Sequence, residues 1–494
     1  ALCEVQATVR PTPDSAIEIL VWLPTDWNGK FQQLGNNGFA GVFKYPEMAE
    51  NVRRQYAVAS TTTGHRGAFD PAWAIGHPEK VTDFLWRGTR HTTLKAKALV
   101  NAFYGKPPRY SYWNGCSNGG AEGLMQAQRY PGEFDGIIAG GAFANWSRAV
   151  AQELVISKLL SQARIADTQL RAVTKAVVQA CDANDGVKGD GLIGDPRRCN
   201  WKPQEIVCKP GQDAAQCLTP SQADAVAAAY EPVRDPVSGQ VLFPGSTRGA
   251  EWEWERLLYN KELQSFALNN VQMAYQDAGW NGSTFNLSVD VPRLDQFFAA
   301  RNAIDPDLSA FHERGGKLIQ YMGWEDATTV PGWTVQYYDM VEDALARGET
   351  PISIQSFYRL YMMPGVGHCG RGQGPTLTRF DLVTAMENWV ERGVAPQAIN
   401  ATNAANAAPV KTLTLERPIC PYPQEAVYDG KGDITQAGSF QCQVASARIR
   451  EHAVEVESAG GCSAGNWRFD PMLAGLVGLA GIGLLRRRRS RKAD

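Results

Sequence analysis

The chain has 494 residues, 44% of them hydrophobic, with 49 basic against 51 acidic side chains and a net charge of −2. That length accommodates two or three domains around a sizeable core. The near-balanced charge argues against nucleic acid or an anionic surface as the main partner, since neither is drawn to such a chain electrostatically. Ten cysteines, none in a CxxC pair, argue against a zinc ribbon or a thioredoxin-like site.

In chain order, residues 16–24, 30–34 and 56–60 read as strands, alternating at first and then solidly apolar. Residues 82–103 carry helical spacing and end near Gly105. A short strand at 110–113, a helix at 121–130 and a buried strand at 134–140 follow. Strands alternating with helices predict an α/β fold with a mostly parallel sheet. From about Asn145 to Leu308 the chain turns Ala- and Gln-rich, with an acidic Gly-rich loop and the tryptophans of Glu251-Trp-Glu-Trp254. The α/β rhythm resumes at 317–321 and continues through 357–363 and a helix at 381–392. The expected organisation is a core of residues 1–144 and 309–447, an inserted lid at 145–308, and a tether and terminal segment at 448–494.

Cys181 with Cys199, Cys208 with Cys217 and Cys420 with Cys442 stand at short spacings that suit disulfides, hence an oxidising compartment. The chain starts at Ala1, which suits removal of a signal peptide. Residues 471–485 form an apolar run followed by RRRRSRK. Fifteen residues fall short of the about 20 that a stable span needs. Small residues, an apolar stretch and an arginine cluster resemble a bacterial C-terminal sorting signal, cut off after export; a plain anchor is the alternative. The expectation is an exported bacterial protein, periplasmic, cell-surface or secreted, whose C-terminal segment engages the membrane or sorting machinery before processing.

Gly115-Cys-Ser-Asn-Gly119 fits G-x-S-x-G between a strand and a helix. Flanking glycines permit the sharp turn that exposes a serine hydroxyl at a helix head. Of six histidines, His368 in Pro364-Gly-Val-Gly-His-Cys-Gly370 lies in a Gly-rich loop after an apolar strand, where a base belongs. Between them, Tyr321-Met-Gly-Trp-Glu-Asp-Ala327 offers Glu325 and Asp326; Asp326 is the chosen acid. The order Ser117, Asp326, His368 is that of α/β-hydrolases. Cys116 precedes the serine and Cys369 follows the histidine, so a Cys116–Cys369 bridge would pin nucleophile to base. The same triad would serve a broad carboxylesterase or a peptidase. A non-catalytic cell-surface binding protein is the reading that an intact Ser/Asp/His set argues against.

With Cys-Ser, Gly-Trp-x-Asp and His-Cys in this order, the chain resembles the tannase and feruloyl esterase family. Thr62-Thr-Gly-His65, Trp73-Ala-Ile-Gly-His-Pro-Glu-Lys80, Phe134-Asp-Gly-Ile-Ile-Ala-Gly140, Pro418-Ile-Cys-Pro-Tyr-Pro423 and Gly432-Asp-Ile-Thr435 extend the likeness over most of the chain outside the tail. The resemblance implies a secreted α/β-hydrolase with a large lid, acting through an acyl-enzyme on a small aromatic ester: feruloyl, galloyl or terephthalate-monoester. It also implies a structural calcium ion in the lid, and no organic cofactor. The counterpart loop runs Cys181-Asp-Ala-Asn-Asp-Gly-Val-Lys-Gly-Asp-Gly-Leu-Ile193, with Asp182, Asp185 and Asp190 carboxylates and Val187 and Leu192 carbonyls as ligands. Here Lys188 and Gly189 both precede the third Asp where the family has one residue, which puts Asp190 and Leu192 in doubt. For the oxyanion, Asn118 N–H is the expected donor, with a second from Gly35-Asn-Asn-Gly-Phe-Ala-Gly41, Asn37 being the choice within that loop. Trp252 and Trp254 are open to either ring-binding or packing, and the partner of Cys3 is open.

Overall fold

The computed structural model describes residues 1–67, 69–348, 351–372, 377–403, 414–444 and 449–450, with residues 261–264 as backbone alone. The apolar run at 471–485, its arginine block and Cys462 lie outside the described residues.

The apolar runs of the first third fold as strands: β1 (Leu2–Val9), β2 (Ile17–Pro24), β3 (Lys30–Leu34) and, after helix α1 (Tyr45–Arg53), β4 (Ala57–Thr61). Helices α2 (Pro78–Thr82) and α3 (Gly88–Tyr104) follow; Gly105, at φ +70°, caps α3 in the left-handed conformation. Next come β5 (Tyr110–Cys116), α4 (Asn118–Arg129) and β6 (Gly136–Gly140). The inserted segment carries α5 (Trp146–Ala163), α6 (Asp167–Cys181), α7 (Pro220–Tyr230), a hairpin of β7 (Val233–Arg234) and β8 (Val241–Phe243), then α8 (Trp254–Tyr259), α9 (Lys261–Tyr275) and α10 (Leu287–Phe297). Helix α11 (Ser309–Glu313) leads into β9 (Lys317–Gly323), α12 (Pro331–Ala346), β10 (Tyr358–Met363) and α13 (Leu382–Arg392).

Eight strands pair in the order β1-β2-β4-β3-β5-β6-β9-β10. From β4 to β10 every neighbour is parallel, and only β2 runs against the flanking β1 and β4. Adjacent residues on a strand point to opposite faces. Accordingly Trp113, Ile137, Leu318 and Leu360 enter one core with α3, α4 and α12, while Tyr112, Ile138, Ile319 and Tyr361 enter another with α13. Burial on both faces is why these strands read as solid apolar runs rather than alternations. Between β6 and β9 no strand joins this sheet, since β7 and β8 pair only with each other. The segment has its own core, in which Ile156, Val173, Val226 and Trp254 pack. Residues Ala1–Val454 form a single compact unit.

Candidate active site

β5 runs directly into α4, and Ser117 sits at the turn with φ +62° and ψ −123°. Non-glycine residues rarely adopt such a conformation, and it is held here by the packing around it. A Cβ on Gly115 would lie 2.6 Å from Gly119 O, and one on Gly119 would lie 2.8 Å from the Gly35 backbone. Only hydrogen fits at those positions. The turn is then tied to its neighbours: Ser117 N–H donates to Gly140 O at 2.9 Å, and Gly141 N–H donates to Tyr321 O at 2.9 Å.

The loops after β9 and β10 meet the turn at the same end of the sheet. Trp324 N–H donates to Met363 O, and Glu325 N–H to Val366 O, each at 2.9 Å. His368 Nδ1 lies 2.7 Å from Asp326 Oδ2. The other Asp326 oxygen accepts the N–H groups of Thr328 at 2.9 Å and Thr329 at 2.7 Å. Asp326 is thereby fixed at 1% exposure, and His368 at 7%. Glu325, its neighbour, turns away and accepts Trp252 Nε1–H at 2.6 Å. A Cβ built on Gly141 would touch Cys116 Sγ at 3.2 Å, Asp326 Oδ2 at 3.5 Å and His368 Cε1 at 3.5 Å, so all three converge on one point.

Cys116 and Cys369 form a disulfide, Cα–Cα 5.8 Å, across 253 residues of sequence. It joins the residue before Ser117 to the residue after His368. No hydrogen bond links Ser117 Oγ to His368 Nε2 among the described residues; such bonds often tighten only when substrate binds. Cys181–Cys199, Cys208–Cys217 and Cys420–Cys442 are also bonded, and Cys3 is half-buried and has no disulfide partner among the described residues. His65 takes no part: it is buried, stacks on Trp73 at 3.7 Å, and burial holds its imidazole down to about 3.

Asn118 begins α4, so its N–H points out of the helix start beside Ser117. Its side-chain amide donates to Gly38 O at 2.8 Å, and Gly119 N–H donates to Asn36 O at 2.6 Å. These bonds press residues 35–41 against the serine turn. Asn36 spends its own N–H and its Nδ2 on the Glu122 carboxylate, at 3.0 and 3.1 Å. Asn37 is exposed and follows directly. Glu122 and Arg301 are both fully buried and stand 3.8 Å apart, while Arg301 also donates to Asn118 O at 3.2 Å. Burial pushes the Glu122 carboxyl up and the Arg301 guanidinium down to about 10. Neither residue announces itself in the sequence; Glu122 lies one helical turn past Asn118, on the face of α4 that meets the 35–41 loop.

The tannase and feruloyl esterase family model matches residues 3–443. The chain belongs to the tannase and feruloyl esterase family. It is 35% identical to an uncharacterized esterase of Xanthomonas campestris pv. campestris, over 90% of this chain and 84% of that one. It is 30% identical to feruloyl esterase B of Aspergillus niger, over 89% and 86%. The crystal structure of feruloyl esterase B from Aspergillus oryzae superposes with a TM-score of 0.82 at 27% identity, covering 90% of this chain and 91% of that chain. The fold of this family member is accordingly the α/β-hydrolase fold, and its class that of carboxylic ester hydrolases.

Acidic groups crowd the esterase's acid loop. Burial, reinforced by the charges of Glu251 and Glu253, pushes Glu325 up to about 8; burial and Asp326 do the same to Glu153, also to about 8. An unfolded glutamate ionises near 4.5, whereas folded Glu325 keeps its proton to about 8. Stability therefore falls as pH rises from 4.5 to 8 and levels off above. Glu325→Gln retains an acceptor for Trp252 and removes that slope. The variant should gain on the parent across this window, by about 4 kcal/mol at pH 8. Urea unfolding at pH 5 and pH 8 measures it; a difference that does not change with pH would contradict the assignment.

In the 182–193 loop, Asp182 accepts Gly189 N–H at 2.8 Å, Asp185 accepts Val187 N–H at 3.0 Å, and Asp190 accepts Leu192 N–H at 3.0 Å. Asp190 also pairs with Arg417 at 2.5 Å, both side chains buried. Burial and the Asp190 charge push Asp185 up to about 7. Three carboxylates against one guanidinium leave uncompensated negative charge, which fits a divalent cation. Among the described residues, however, no three acidic, His or Cys side chains form a metal-binding cluster. Trp254 is fully buried in the core of the inserted segment and Trp252 is 5% exposed on Glu325, which makes both packing residues.

Proposed function

We propose that this esterase hydrolyses carboxylic esters of aromatic acids, with Ser117 as nucleophile, His368 as base and Asp326 as the residue that orients it. The hydrogen bond from His368 to Asp326, joined through the Cys116–Cys369 disulfide to the serine turn, is the observation that carries this reading. Because Nδ1 is engaged by Asp326, Nε2 is the nitrogen left to take the Ser117 proton. The alkoxide attacks the ester carbonyl and forms a tetrahedral intermediate, whose oxyanion Asn118 N–H and the neighbouring Asn37 backbone would stabilise. His368 returns the proton to the departing alcohol, leaving an acyl-enzyme. Water, activated by the same imidazole, attacks the acyl carbon; the acid leaves and Ser117 regains its proton. The aromatic preference rests on the feruloyl esterase relatives. Steady-state kinetics on feruloyl, galloyl and terephthalate monoesters beside short aliphatic esters and peptides tests it. The expected result is a kcat/KM higher for one of the aromatic esters; preference for the aliphatic esters or peptides would overturn it.

Residues 145–308 would act as the lid over this site. Four disulfides support an exported setting, and residues 471–494 would engage the membrane or sorting machinery.

A calcium ion in the 182–193 loop would be held by the Asp182 and Asp185 carboxylates and the Val187 and Leu192 carbonyls, with Asp190 shared between the ion and Arg417. Its contribution would be to stability, by neutralising the loop. EGTA should lower the melting temperature by several degrees, with recovery on adding Ca²⁺ but not Mg²⁺. An unchanged melting temperature would rule the ion out.

A further inference from the structure

Glu253 ends the 3-10 turn Glu251–Glu253 in the inserted segment, and its side chain is fully buried. A single oxygen, Oε2, accepts the His368 N–H at 3.1 Å and the Ala327 N–H at 3.3 Å. Ala327 directly follows Asp326, so one atom grips the loops of both the acid and the base. The other oxygen meets Arg256 Nη1 at 3.3 Å and, farther off, Arg371 Nε at 3.9 Å. Gly367, just before His368, provides the space. A Cβ there would lie 2.5 Å from Glu253 Cδ and 2.6 Å from Oε1. Since φ at Gly367 is −91°, room and not backbone strain is what calls for glycine.

We infer that Glu253 is a positioning residue for the acid–base pair: contributed by the inserted segment, it fixes the Asp326 and His368 loops relative to each other and so aims His368 at Ser117. This rests on the triad reading above. Burial and the nearby Asp326 charge push the Glu253 carboxyl up, against the pull of Arg256 and His368. The two backbone donors on Oε2 and the Arg256 guanidinium on Oε1 oppose that rise, because each binds the ionised form better than the neutral one. Loss of that grip leaves the fold's own core intact while misaligning a pair whose geometry sets the rate.

The test uses the full chain, 4-nitrophenyl acetate as an activated ester, and Glu253→Ala, Glu253→Gln, Gly367→Ala and Ser117→Ala, each with its melting temperature. Glu253→Ala should lower kcat about 100-fold, in line with the cost of a misplaced catalytic group, with KM nearly unchanged. Glu253→Gln keeps an acceptor oxygen and should stay within about 10-fold of the parent. Gly367→Ala crowds the carboxylate without removing it and should lose kcat as well. A folded Glu253→Ala with parental kcat, or a folded Gln variant as impaired as Ala, overturns the inference. If Glu253→Ala does not fold, parental kcat in Gly367→Ala overturns it and reduced kcat there, with the Gln variant near the parent, supports it. Turnover retained by Ser117→Ala would instead refute the triad itself, which separates the two failures.

Discussion

Ser117→Ala abolishes turnover, with kcat falling by about 10⁴-fold or more, while the protein melts within a few degrees of the parent. The size follows from the geometry. In the proposed mechanism everything else around Ser117, including the His368–Asp326 bond, the helix start at Asn118 and the 35–41 loop, prepares a single oxygen for attack. Without that oxygen the remaining groups retain only binding and oxyanion stabilisation, a small residue of the rate. Stability is spared because the strained φ of +62° is held by surrounding bonds that alanine leaves in place. Circular dichroism and thermal melting beside ester kinetics measure both halves. Substantial turnover by a pure Ser117→Ala preparation would remove Ser117 from the chemistry.

Opening the Cys116–Cys369 bridge has the second-largest effect. The bond closes a loop of 253 residues, and losing it should cost about 3–5 kcal/mol through the freedom regained by the unfolded chain. A separate effect falls on catalysis. The bridge spans the two residues beside Ser117 and His368, so their alignment relaxes when it opens, and displacement by about 1 Å costs up to roughly 100-fold. Cys369→Ser measured at a temperature where it remains fully folded should therefore show kcat reduced at least about 10-fold, with KM little changed. Parental kcat under those conditions would make the bridge a staple for the fold alone.

Much of this site was legible because its signals are local. The strand, glycine, serine, glycine and helix of residues 110–130 stand contiguous in sequence, and the cysteines beside Ser117 and His368 mark two distant segments as neighbours. Spacing does not separate Glu325 from Asp326, since adjacent carboxylates point to opposite sides; the Gly-Trp-x-Asp likeness is the sequence signal that selects Asp326. The structure separates them, with Glu325 on Trp252 and Asp326 on the imidazole. Strand β1 carries no apolar run because, as an edge strand, it is alternately exposed and half-buried. Helix α4 starts at Asn118, three residues before the helical pattern becomes apolar, because the turn at Ser117 and not hydrophobic spacing sets its beginning.

Glu253 and Glu122 were illegible for a different reason. Their partners lie far off along the chain, Glu253 reaching His368 across 115 residues and Glu122 reaching Asn36 across 86. In sequence each is one acid among 51 Asp and Glu, and solvated acids greatly outnumber buried ones. The segment Glu251-Trp-Glu-Trp254 drew attention through its tryptophans, yet it is the second glutamate that meets the acid and base loops.

The central claim, a nucleophile at Ser117 activated by His368, is tested most directly by covalent labelling. A fluorophosphonate incubated with the parent and with His368→Ala, followed by peptide mapping, should give one adduct, on the peptide carrying Ser117. Labelling should be lost or greatly slowed in the histidine variant. An adduct on another residue, or an active parent enzyme that takes no label, would contradict it.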